Sequence, residues 1–270
     1  MTQASGIQGF WLAVGTLWWR ELLRFYRYRS RVLGALGTPV VFWFLIGSGV
    51  GRSFRPSTVP AGVDYLEYFY PGALILILLF TSIFCMMSII EDRHEGFLLS
   101  VLVAPVARSS MVLGKILGGT TLSLLQGLVF VALAPAAGIA LRPLQILLLA
   151  GVLFLIAFGL TGLGFLLAWK LDSVPGFHAV ANLFLLPMWL LSGALSPSPD
   201  ASPWVGWVMK VNPLTYAMAA LRQVLYLDAP HLAGEGLSLA LSLQVTVAFG
   251  LLIAVAAFWV AGRAVPGDWS

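Results

Sequence analysis

The chain of 270 residues holds one cysteine, three histidines and eleven acidic residues. A lone thiol, Cys85, excludes an internal disulfide framework. The histidines, His94, His178 and His231, lack the spacing that a metal site needs. Charge is scarce: 10% of residues are Asp, Glu, Lys or Arg, against 60% hydrophobic. A soluble domain carries roughly 25% charged residues to cover its surface, so a soluble fold is excluded. There is no G-x-x-x-x-G-K-[ST] loop; Gly114-Lys115 is followed by Ile116 and preceded by nothing glycine-rich. Ser192 and His178 stand about four turns apart on one run, roughly 20 Å on a helix, too far to act as nucleophile and base. The chain is therefore not expected to be an enzyme.

What is present is apolar sequence in long blocks. Val32–Gly51, Tyr70–Ile90, Ile116–Leu141, Pro143–Trp169, Ser173–Pro199 and Gly236–Gly262 contain no Asp, Glu, Lys or Arg. Each reaches the ~20 residues that a helix needs to cross a bilayer. None alternates polar with apolar as a barrel strand would. The expected fold is an all-α polytopic membrane protein in a single domain, 1–270. Its six spans lie near 32–51, 70–90, 112–136, 145–169, 177–197 and 237–261. Ion-coupled transporters place charges at mid-membrane, and these runs carry none. Arg20, Arg24, Arg27, Arg29, Arg31, Arg93, Arg108, Lys115, Lys170 and Arg263 fall on the face that holds both termini. Only Arg52, Arg55, Arg142, Lys210 and Arg222 fall on the other. This ten-to-five split predicts cytoplasmic termini in a multi-pass cell (inner) membrane protein of bacterial type.

Three segments outside the runs carry information. Residues 8–31 read as an amphipathic interfacial helix. Arg20, Arg24, Arg27 and Arg31 fall within about 60° of one another, facing lipid phosphates or a cytosolic partner. Trp11, Leu17, Trp18, Leu22 and Phe25 occupy another sector. After the second span, Glu91-Asp92-Arg93-His94-Glu95-Gly96 precedes Leu98, Leu99, Leu102 and Val103 at helical spacing, ended by Pro105. This short helix is either a socket for another protein or a solvated turn lying on the bilayer. Before the last span, Asn212-Pro213 is a helix start. Leu214, Ala217, Met218, Leu221, Val224 and Leu225 then form an apolar face, with Arg222 off it. With a shorter helix beginning at Pro203, the segment reads as two short re-entrant outer helices or as a surface hairpin.

Two stretches resemble a known family. One is Glu91–Phe97 followed by Leu102-Val103-Ala104-Pro105 and Val112-Leu113-Gly114-Lys115. The other is Leu191-Ser192-Gly193-Ala194 followed by Val211-Asn212-Pro213-Leu214-Thr215-Tyr216 and Ala220-Leu221-Arg222. They resemble the permease subunits of type-2 ABC exporters, most of all the drug-resistance and nodulation-type permeases. The resemblance implies a homodimer or heterodimer of permeases in the lipid bilayer, joined to separate ATP-binding subunits that hold ATP and Mg, with no nucleic acid involved. It also implies that this chain holds no cofactor. It assigns ATPase coupling to Arg20, Arg24, Glu91, Asp92, Arg93, His94, Glu95, Gly96, Leu98, Leu99 and Leu102. It assigns an outer gate to Asn212, Pro213, Tyr216, Met218, Leu221 and Arg222. The expected activity is ATP-driven export of an amphipathic drug-like or lipid substrate. Export of a lipid-linked glycan or lipo-oligosaccharide, and a non-transporting membrane scaffold, are the alternatives.

Overall fold

The computed structural model describes residues 6–50, 65–104, 106–195, 202–233 and 236–263. Among the described residues, ten α-helices run α1 (Gly6–Arg27), α2 (Arg29–Val50), α3 (Tyr65–His94), α4 (Phe97–Val103), α5 (Arg108–Val131), α6 (Pro143–Lys170), α7 (Val174–Trp189), α8 (Pro203–Val211), α9 (Pro213–Leu225) and α10 (Leu239–Arg263). Six are long and apolar enough to cross a membrane: α2, α3, α5, α6, α7 with its extension to Ala194, and α10. The chain is a polytopic all-α membrane protein. Arg52, Arg55 and Pro105 lie outside the described residues, as does the side chain of Leu102.

The bundle is organised around α3, which is buried over most of its length and packs against α2, α5, α6 and α7. Close approach is purchased with small residues. A Cβ at Gly119 of α5 would lie 2.6 Å from Thr161 Cγ2 of α6 and 2.9 Å from Met86 Cε of α3. A Cβ at Gly162 of α6 would lie 2.8 Å from Ile253 of α10. In a bilayer the apolar effect does not drive helices together, so this contact packing has to. By contrast α2, α7 and α10 leave much apolar surface uncovered, including Phe44, Leu45, Leu183, Phe184, Leu252 and Val255.

Two expectations need correction. The segment 8–31 is not one helix: α1 ends at Arg27, Tyr28 is non-helical, and Arg29 begins the first span. Nor does α1 merely lie along a surface. Val14, Leu17, Trp18 and Glu21 form a single i, i+3, i+4, i+7 ridge, and α5 receives it through Gly114 and Gly118. A Cβ at Gly114 would lie 3.0 Å from Leu17 Cβ, and one at Gly118 would lie 2.8 Å from Glu21 Cβ. Trp19, Leu23 and Tyr26 on the opposite face are exposed, as is Trp11 in the first half of the helix. The spans are also not free of charge. The helices run past the apolar blocks, and α5 begins at Arg108, so Lys115 lies inside a span at 1% exposure.

Gly118→Val should push α1 off α5 and lower stability by about 1–3 kcal/mol. Gly15→Ala, which meets nothing within 4 Å, should be neutral or stabilise α1 by about 0.5–1 kcal/mol. Thermal unfolding of the detergent-purified protein reads both, and equal midpoints would contradict the α1–α5 contact.

Candidate functional site

Three consecutive residues close α3, and a helix turns about 100° per residue, so each points at a different neighbour. Glu91 accepts from Arg24 of α1 (3.0 Å) and from Arg31 of α2. Asp92 accepts from Arg20 twice (2.6 and 3.0 Å), from Arg24, and from Lys115 Nζ of α5 (2.6 Å). Arg93 donates to the carbonyls of Leu171 (3.0 Å) and Trp169 (2.9 Å) and to the Asp172 carboxylate (2.8 Å), closing the C-terminus of α6. One turn earlier, Ser88 Oγ donates to Glu21 Oε2 (2.7 Å), and Lys115 Nζ bridges Glu21 Oε1 (2.7 Å) and Ser88 Oγ (3.1 Å).

The charges balance. Glu21, Glu91, Asp92 and Glu95 face Arg20, Arg24, Arg31 and Lys115. Asp92 is 0% exposed, and a carboxylate there is tolerable only because three cations and their donors surround it. Burial works against the charge on Arg24, but the carboxylates, Asp92 first and then Glu91 and Glu95, hold its guanidinium above the usual arginine value. Among the described residues, no group of three His, Cys, Asp or Glu side chains is placed to hold a metal ion.

From this cluster hangs α4. Gly96 turns the chain with φ 73°, a conformation that other residues rarely adopt, and α4 starts beyond it. Arg20 lies 3.7 Å over the ring of Phe97, and Leu98 is buried, so the short helix is anchored on one side. Its other side is open: Leu99 is 49% and Val103 70% exposed, with Glu95 at 58% beside them.

The structure thus divides the eleven residues expected to couple. Arg20, Arg24, Glu91, Asp92 and Arg93 are turned inward onto α1, α2, α3, α5 and α6. This corrects the reading of Arg20, Arg24 and Arg31 as an outward-facing sector, because the buried Asp92 and the partly buried Glu91 draw them in. His94 meets the Asp172 carbonyl at 2.8 Å, and Leu98 is an anchor. Glu95, Gly96 and Leu99 face outward. Glu21, Arg31, Ser88 and Lys115 also belong to this cluster, beyond the residues that the motifs single out. The signal was there in part: Glu21 continues the apolar ridge Val14, Leu17, Trp18, where a lone acid needs a cation.

At the opposite end of the bundle the joints are side-chain donors set on backbone carbonyls rather than paired charges. Pro71 has no N–H, which leaves the Glu67 carbonyl without its helical partner, and Tyr226 Oη donates to it (2.8 Å). Burial, and then Glu67, push the Tyr226 phenol well above its ordinary value, so it stays a donor. Beyond Trp189 the fifth span opens into a wide turn, Leu190–Ala194, with Gly193 at φ 85°. Arg222 of α9 donates to the Gly193 carbonyl (3.0 Å) and stacks over Tyr68 at 4.4 Å. Asn212 caps α9 through Leu214 N and donates to the Met188 carbonyl (2.6 Å). Leu214, Met218, Leu221 and Leu225 are buried, as their spacing predicts, and Tyr216 Oη donates to the Lys210 carbonyl (2.8 Å). The preceding helix departs from expectation. In α8 only Met209 is buried, against Gly193, while Trp204, Trp207 and Val211 are exposed. An open apolar groove of about 490 Å³ runs between α8 and the end of α7, lined by Pro187, Met188, Leu191, Trp207, Val208 and Val211.

Residues 13–226 match the ABC-2 type transporter family, and the chain belongs to it. It is 29% identical over 206 residues to a putative transport permease, ycf38, of Cyanophora paradoxa, covering 75% of this chain and 70% of that one. It is 24% identical over 225 residues to the inner membrane transport permease YadH of Escherichia coli K12, covering 79% and 82%. To the daunorubicin resistance ABC transporter permease protein DrrB1 of Streptomyces coeruleorubidus it is 22% identical over 215 residues, covering 77% and 73%.

Removing Asp92 leaves two arginines and a lysine without their shared anion. Asp92→Ala should therefore cost about 3–5 kcal/mol, the scale for breaking a buried pair. Asp172→Ala removes a 90% exposed partner of Arg93 and should cost no more than about 1 kcal/mol. Denaturation in detergent compares them, and equal losses would show that the cluster is not a buried joint.

Proposed function

We propose that this chain is the membrane-spanning subunit of an ATP-driven exporter that moves an amphipathic drug-like or lipid substrate out of the cytoplasm. The observation that carries the reading is α4: a short helix fixed on one face by Leu98 and Phe97 and bare on the other at Leu99 and Val103. An apolar face this small beside an acidic side chain suits a groove on a separate ATP-binding subunit, which supplies ATP, Mg and hydrolysis. Two permease copies, identical or different, complete the transporter. The cation asymmetry puts the charge cluster and both termini on the cytoplasmic side. Arg108 Nη1 donates to the Gly262 carbonyl (3.3 Å), which sets the end of α10 beside the start of α5 at that same end of the bundle. The α8–α9 hairpin then lies on the outer side, where the groove beside Trp207 offers an apolar exit for an amphiphile.

The division of the short helix sets the test. Leu99→Asp with Val103→Asp places charge on the open face and leaves the cluster intact. Coexpressed with its ATP-binding subunit, this variant should insert normally but lose at least about tenfold in copurified ATPase. Full retention would remove α4 as the docking element. Orientation and gate are read together by cysteine labelling, with Cys85 replaced. Asp228→Cys, half-exposed in its pairing with Arg142, should react with an impermeant reagent applied outside the cell. Met218→Cys and Leu221→Cys should resist it. Equal labelling at all three positions would show an open loop in place of a gate.

A further inference from the structure

The charge cluster is more than α4 requires. The short helix is anchored by Leu98 and by Arg20 over Phe97, yet Lys115 and Glu21 are buried a full turn farther into the bundle, at 1% and 3% exposure. Ion pairs at such depth seldom stabilise more than apolar residues of the same size would, because desolvation offsets the attraction. What they do fix is orientation. Lys115 Nζ has three partners from two helices, Glu21 Oε1 of α1 and Ser88 Oγ and Asp92 Oδ2 of α3. Glu21 and Ser88 are bonded to each other as well, which closes the ring. The ring sits where α1 and α5 are nearest, beside the Gly114–Gly118 face.

Beyond the ring, α3 and α5 remain bonded along their length. Ser82 and Ser123 are 3.0 Å apart, with Thr161 of α6 donating to Ser82 (3.1 Å). Thr81 Oγ1 donates to Gln126 Oε1 (2.7 Å), and Tyr70 Oη donates to the Phe130 carbonyl (2.8 Å). These partners fall in antiparallel order, 92 and 88 with 115, 82 with 123, 81 with 126 and 70 with 130, so one polar seam runs from the charge cluster to the far end of the pair.

We propose that Lys115 is a positioning residue for energy coupling: with Glu21 and Asp92 it locks α1 and the end of α3 to α5, so that a displacement of α4 is delivered along the α3–α5 seam into the bundle. Resting on the reading of α4 as the ATPase contact, the inference names the residue that carries the stroke inward. Lys115 itself does not touch the ATPase.

The experiment uses the full transporter, the permease with its ATP-binding subunit, reconstituted in vesicles. ATP hydrolysis and efflux of a fluorescent cationic amphiphile are followed side by side. Lys115→Met should still bring down the ATPase, because α4 is untouched, but it strands Glu21 and should lower the unfolding midpoint. Lys115→Met with Glu21→Gln removes the stranded charge and should return the midpoint to within a few degrees of the parent. Transport per ATP should nonetheless stay about tenfold down in the double variant, since the lock is gone. Recovery of both stability and transport would show that the ring only neutralises charge, and would overturn the proposal. Should the double variant fail to fold, Glu21→Met leaves Lys115 paired with Asp92 and removes only the share of the lock that α1 holds. A loss of transport per ATP with an unchanged midpoint is then expected, and unchanged transport overturns the proposal. If the parent permease brings down no ATPase at all, it is the docking reading that has failed.

Discussion

Burying charge in a protein that lives in hydrocarbon is costly, and the charged end of this bundle is arranged around that cost. Asp92 sits at the end of the most buried helix, where an unpaired carboxylate would not stay ionised. Its need for cations determines where α1 goes. Arg20 and Arg24 lie one turn apart on α1, both reach Asp92, and a helix that would otherwise rest at the interface is drawn against α3 and α5. Once there, Glu21 enters the interior and needs a cation of its own, which Lys115 supplies. Each buried charge makes the next one necessary, and the chain of requirements ends in a balanced set.

The far end solves a different problem, with donors to carbonyls in place of paired charges. Pro71 and the wide turn at Leu190–Ala194 both interrupt helical hydrogen bonding, and the carbonyls so exposed cannot be left bare in an apolar setting. Tyr226, Arg222 and Asn212, all near or on α9, donate to them. α9 is therefore held by the defects of its neighbours, with its leucines filling the space between. α8 makes no such bonds to the broken span and stays largely exposed.

The fold was legible in the sequence because span length and lack of charge follow from bilayer thickness alone. The six apolar blocks became six helices, and the Asn212-Pro213 start became the cap of α9. Burial of Leu214, Met218, Leu221 and Leu225 could be read from spacing for the same reason. The charge cluster was only half legible. Composition shows that Glu91, Asp92 and Arg93 are charged, but which of them faces inward depends on tertiary partners more than twenty residues away. Lys115 stands one residue before an apolar block, at the edge of the span expected at 112–136, and nothing in the pattern shows that it faces the interior, whereas the helix begins at Arg108 and buries it. The break at Tyr28 left no mark in the pattern either, since arginines continue on both sides of it.

Both ends of the molecule meet on one helix. α3 has 30 residues, and at 1.5 Å per residue it spans about 45 Å, with the charge cluster at one end and the Glu67–Tyr226 joint at the other. Between Asp92 and Gly72 no proline interrupts it, and the seam with α5 stiffens it along that stretch. The missing hydrogen bond falls at Pro71, close to the far joint. A helix bends most easily where a ladder bond is absent. A push at the cluster is thus carried along the stiff stretch with little loss, and it meets a compliant point only where α3 touches α9. The weak point and the α9 joint lie together because Pro71 accounts for both: it frees α3 to bend, and it leaves the Glu67 carbonyl to accept from Tyr226.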